Sequence, residues 1–162
     1  MAERFENLVD SKDTILFGKD GIVVTKHVAD IPGGRVLDVE GWPSELTVIP
    51  AGTVIVKKDE DNYKPMPVAV KTETKTVDGQ SVTENVLDED GNPVYIYGSL
   101  PSNYAYVGIL CNSVRVSRPG ASILVQGSVN EGTLPFEFAT IKSAFHTACP
   151  GIVFVSGKET AS

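Results

Sequence analysis

Ile49-Pro50-Ala51-Gly52-Thr53-Val54-Ile55-Val56-Lys57 opens on turn residues and runs into a stretch dominated by β-branched side chains. Proline fixes φ and glycine supplies φ > 0, so residues 49–52 predict a turn. Val and Ile suit a pleated, half-buried surface, so residues 53–57 predict a strand. The polar continuation from Lys58 to Asn62 predicts a hairpin tip. The return through Tyr63-Lys64-Pro65-Met66-Pro67-Val68 carries two prolines, which rule out a central strand and allow an edge.

The same alternation of short apolar runs with Gly and Pro extends in both directions. Upstream, Ile22-Val23-Val24 predicts a strand, Pro32-Gly33-Gly34 a turn, and Arg35-Val36-Leu37-Asp38-Val39 a second strand. Gly41-Trp42-Pro43 follows as a loop. Its tryptophan, the only one in the chain, reads as a lid on the core or as an exposed contact anchor, and the lid is the simpler reading. Downstream, Lys71 to Glu84 places Asp78-Gly79 between two Thr-rich arms, the strongest hairpin signal in the sequence. Both arms are polar at most positions, so residues 71–93 read as a projecting hairpin inserted into a compact body. The turn Asp88-Glu89-Asp90-Gly91-Asn92-Pro93 closes it.

Val94 to Tyr97, Ala105 to Leu110 and Ala121 to Gln126 predict three core strands. Phe138, Ile141, Phe145 and Ala148 then fall at i, i+3, i+7 and i+10, one face of a C-terminal helix. Cys149-Pro150-Gly151 ends it, Ile152 to Val155 predicts a last buried strand, and Ser156 to Ser162 a polar tail. The expected fold is mainly β with one C-terminal helix, a compact barrel-like or tulip-like body. The expected division is an N-terminal arm with the first strand and turn over residues 1–34, and a β-rich body over residues 35–162.

The 162 residues and 17.3 kDa suit one domain, and the 15 glycines and 10 prolines agree with many turns and short strands. Fourteen Lys and Arg against 21 Asp and Glu give a net charge of -7, which disfavours direct nucleic-acid binding because no basic cluster offsets it. The N-terminal residues are mixed in charge and lack the apolar stretch of a secretory signal. No apolar run approaches the roughly 18 residues a membrane helix needs, so no membrane partner is expected. Cys111 and Cys149 lack C-x-x-C spacing and read as buried free thiols, which fits synthesis inside a cell.

Residues 1–20 scatter Phe5, Leu8, Ile15, Leu16 and Phe17 among charged neighbours without a sustained period. Such an arm either packs on its own domain or orders when it lies on a partner.

Motifs for catalysis and metal binding are missing their partners. An EF-hand frame over the Asp88–Gly91 turn would place Val86 first and Tyr97 twelfth, and neither ligates calcium. His27 and His146 have no nucleophile and acid in sequence signature around them, and no G-x-S-x-G elbow occurs. His146, near the end of the predicted helix, fits a structural role with the helix dipole. Cys149 is three residues from His146 without further ligands, and Gly18-Lys19 and Gly157-Lys158 lack a phosphate loop's glycine and hydroxyl. The reading is of a protein without catalytic residues, cofactor or metal.

Tyr106-Val107-Gly108-Ile109-Leu110 and Leu124-Val125-Gln126-Gly127-Ser128-Val129-Asn130 carry a resemblance, together with Gly52-Thr53-Val54-Ile55, Tyr63 and Gly151-Ile152-Val153-Phe154. In this order the sequence resembles the lambda-type phage head decoration proteins, from about Pro50 to Val155. It departs from their pattern before Pro50 and at residues 71–93. The resemblance implies a capsid-stabilising viral structural protein, a homotrimer on the exterior of the expanded shell in the virion, made in the bacterial host cytoplasm. Its implied partner is the major capsid protein, bound through the N-terminal arm with Phe5, Leu8, Ile15, Leu16 and Phe17.

Two other classes compete. A host-surface or adhesive module would use the polar hairpin and Trp42 as contacts, but lacks an export signal. A small trimeric β enzyme, such as a nucleotide hydrolase, would need carboxylates beside Arg115, Ser117 and Arg118, and no matching acidic motif is present.

Overall fold

The computed structural model describes residues 23–156. Among them, the main sheet contains β1 (Val24–Asp30), β4 (Val54–Lys57), β5 (Tyr63–Pro65), β10 (Ala105–Leu110), β13 (Ile123–Asn130) and β14 (Ile152–Val155). Short pairs flank it: β2 (Arg35–Val36) with β12 (Gly120–Ala121), and β3 (Val48–Ile49) with β11 (Val114–Arg115). A ribbon leaves the body through β6 (Val68–Val70) paired with β9 (Tyr95–Tyr97), and continues as β7 (Thr72–Val77) paired with β8 (Gln80–Asn85). Among the described residues an α-helix, α1, spans Lys142–Ala148. The fold is mainly β with a C-terminal helix, as expected. The sheets stay open, so the body does not close as a barrel.

The strand order β1-β13-β10-β4-β5 puts the most apolar runs in the middle. Val54, Val56, Ile109 and Leu124 point to one face, where Phe145 of α1, Phe138 and Ile152 complete a core. Ile55, Leu110 and Ile123, the alternate residues, point to the other face and meet Leu37, Ile49 and Tyr63. Period-two alternation explains why these runs look uniformly hydrophobic: both faces are covered. Pro65 lies on β5, the edge, where its missing N–H breaks no inner ladder.

β13 serves two neighbours on one side. Its start pairs antiparallel with β10, and its end pairs parallel with β14, while β1 runs along the other side. Gly127 makes the handover at φ 154, its N–H donating to the Gly151 carbonyl at 3.0 Å. A β-carbon there would collide with the Lys26 carbonyl oxygen, and one at Gly108 with that of Leu124. Both glycines permit backbones to approach where any side chain would separate the strands.

Several expectations need correction. The helix is shorter than its apolar spacing predicts, because Phe138 lies in a separate turn closed by the Ile141 N–H on its carbonyl. Ala148 is exposed, and Cys149, the C-cap, turns inward to fill the buried position. Tyr95–Tyr97 is not a core strand of the main sheet but part of the ribbon, with Tyr97 alone buried. β14 buries Ile152 but leaves Val153 52% exposed, because its second face meets solvent. Of the expected first strand, Ile22 lies outside the described residues, and the strand within them spans Val24–Asp30. The hairpin expected within residues 71–93 is present, with every residue of β7 and β8 exposed. Its two-residue turn places Asp78 at φ 51 and Gly79 at φ 79, the left-handed pair that matches strand twist.

Candidate functional site

Phe5, Leu8, Ile15, Leu16 and Phe17, the expected arm contacts, lie outside the described residues. Trp42 is half-buried and touches both cores; its ring meets Phe136 edge-on at 5.8 Å. Its indole N–H donates to the Leu46 carbonyl at 3.2 Å, so the polar end is already engaged within the loop. A shallow depression beside it is lined by Glu40, Gly41, Trp42, Lys64, Pro65 and Pro67.

Tertiary structure assembles one group of polar side chains that the sequence reading did not connect. Ser122 Oγ donates to Asp30 Oδ2 at 3.0 Å, and His27 Nε2 lies 3.5 Å from the same oxygen. Cys111 adjoins them, its N–H donating to the Ser122 carbonyl at 2.9 Å. Burial, with the Asp30 carboxylate adding to it, raises the Cys111 thiol above its ordinary pKa. A raised thiol stays protonated and is a poor nucleophile. The carboxylate stands between serine and histidine, whereas general-base activation requires the imidazole beside the hydroxyl. The arrangement ties the irregular edge strand β1 to the segment between β12 and β13. Ser122 and Asp30 are 92 residues apart, and no local pattern announces their contact.

The remaining candidates take part in local structure. His146 is exposed in the last turn of α1 and rests edge-on against Phe154 at 5.5 Å. Asp88 uses one carboxylate oxygen to accept from the N–H groups of Asp90 and Asn92 at 3.0 and 2.8 Å, which shapes the acidic turn from within. Arg115 sits on β11, and Arg118 donates its N–H to the Arg115 carbonyl across a tight turn. Among the described residues no three His, Cys, Asp or Glu side chains gather where they would hold a metal ion. None of the described helices is long and apolar enough to cross a membrane.

The outer part of the ribbon is exposed at every residue of β7 and β8. Thr72, Thr74 and Thr76 stand opposite Asn85, Thr83 and Ser81, and this forms an uncharged face. The opposite face carries Glu73 directly across from Glu84, with Lys75 Nζ 4.0 Å from the first and 3.6 Å from the second. At the ribbon's base Lys71 Nζ pairs with Glu137 at 3.1 Å.

A scan against protein-family models, a search of curated proteins and a search of solved structures each return no match.

Proposed function

We propose that this chain is a non-catalytic decoration protein of a phage head. It binds the outer surface of the expanded capsid as a homotrimer and stabilises the shell through the major capsid protein. The observation that carries this reading is where the resembling segments lie. Gly52 to Ile55 lead into β4, Gly108 to Leu110 end β10, Leu124 to Asn130 form most of β13, and Gly151 to Phe154 form most of β14. These strands are neighbours in one sheet, and Tyr63 pairs with Lys57 beside them. Segments scattered along the sequence therefore make up one continuous unit, as expected if they descend together from one fold.

Attachment is assigned to residues 1–20. The chain enters the described body at β1, which is an edge of the main sheet. In this reading the arm adds to a strand of the capsid by main-chain hydrogen bonding. Ordering the arm opposes the gain from burying its apolar side chains, so each contact is weak. Three arms per trimer act together and raise the overall affinity through effective concentration. Deleting residues 1–20 leaves a folded trimer that no longer cosediments with expanded heads; a truncated protein that still binds assigns attachment elsewhere.

A further inference from the structure

We infer that the outer edge of β7 is a contact for β7 of a second copy, paired antiparallel about a two-fold axis through Thr74. The inference starts from the backbone. A two-residue turn at Asp78-Gly79 makes Val77 and Gln80 a hydrogen-bonded pair, and such pairs alternate along an antiparallel ladder. Lys75 with Val82 and Glu73 with Glu84 continue the series. The Val86 N–H donates to the Lys71 carbonyl at 2.8 Å, in phase with it. Thr72, Thr74 and Thr76 therefore direct their N–H and C=O groups away from β8. The ribbon is a two-stranded sheet, so among the described residues no strand occupies that edge.

The sequence along the edge is self-complementary. With Thr74 opposite its own copy, Thr72 meets Thr76, and Glu73 meets the second copy's Lys75 twice by symmetry. The three threonine positions form the hydrogen-bonded pairs, giving about six main-chain bonds. The Glu-Lys positions become the closer, non-hydrogen-bonded pairs, the geometry in which cross-strand charges interact best. Centring the axis on Glu73 or Lys75 sets identical charges against each other. The β8 edge, centred on Thr83, sets Val82 against Glu84 and has no such match.

Charge on an edge strand ordinarily guards against pairing. Here the spacing of opposite signs one residue either side of Thr74 selects one register instead. Each hairpin also leaves the facing carboxylates of Glu73 and Glu84 with one shared ammonium, Lys75. The second copy supplies another beside Glu73. A six-residue edge is a small interface, so the contact is weak between free bodies and effective where many are held close together. It forms whether or not the body binds a shell, and on a shell it would join neighbouring trimers.

The test uses the full chain, with isotopically light and heavy protein mixed at low ionic strength, coupled by carbodiimide and read by mass spectrometry. A light-heavy cross-link between Glu73 and Lys75 is expected. Glu73→Lys relieves the facing carboxylates within the hairpin, so the hairpin persists, yet it opposes lysines across the axis. It should lower association beyond that of the body by about tenfold or more in sedimentation. Glu73→Lys with Lys75→Glu restores opposite charges and should restore association. Thr74→Pro removes an outward N–H while sparing the β7–β8 ladder, and should also abolish the contact. Absence of the light-heavy cross-link, or Glu73→Lys associating as strongly as the native chain, overturns the inference.

Discussion

Replacing Tyr97 with phenylalanine removes one oxygen atom and tests how the ribbon is fastened to the sheet. Met66 donates its N–H to the Val54 carbonyl at 2.8 Å, but the reciprocal bond of that pair is replaced: the Val54 N–H donates to Tyr97 Oη at 3.0 Å. Val54 is completely buried and Tyr97 nearly so, so water has no access to a freed amide. The variant keeps the edge-on contact of the ring with Phe136 at 5.5 Å, and this isolates the hydroxyl. A buried donor left without an acceptor costs about 1–3 kcal/mol. For a chain of this size, that is a fall of about 2–12 °C in thermal midpoint. Circular dichroism measures the midpoint, and hydrogen exchange should show faster opening at the Val54 amide. An unchanged midpoint with the Val54 amide still protected would refute the assignment of this bond.

Phe145→Ala empties the centre of the aromatic cluster formed with Tyr106, Phe138 and Phe154, and should cost about 3–5 kcal/mol. Urea titration should show a lower midpoint with an unchanged slope. Burial pushes the Cys149 thiol from 9.0 up to about 11. Above pH 9 the unfolded thiol ionises while the folded one does not, so its contribution is full below that pH and declines as pH rises to about 11. Cys149→Ala should flatten the stability profile across that window; an unchanged slope would contradict a buried neutral thiol. Replacing residues 72–85 with Asn-Gly closes the ribbon on the existing Lys71–Val86 bond, and should leave the thermal midpoint of the body close to that of the full chain.

The sequence is most legible where one local rule decides the outcome. Asp78-Gly79 requires a left-handed turn, and Pro65 excludes a central strand; both produce the expected structure. Val54 to Val56 is legible as a strand, but periodicity alone does not tell which partner covers which face. The C-terminal helix misleads for a related reason. Apolar spacing continues across the Phe138–Ile141 turn because both turn and helix deliver side chains to the same core, so the period outlasts the helix. Tyr97 and Ser122 were illegible as ties, since their partners are 43 and 92 residues away. The His27, Asp30 and Ser122 group exists only through the pairing of β1 with β13.

The proposed function is tested most directly by mixing the purified chain with undecorated, expanded phage heads and imaging the particles. Added three-fold density on the outer surface of the shell is expected, with heads that survive heating or chelation that breaks the undecorated ones. A shell surface without added density at saturating protein would contradict it.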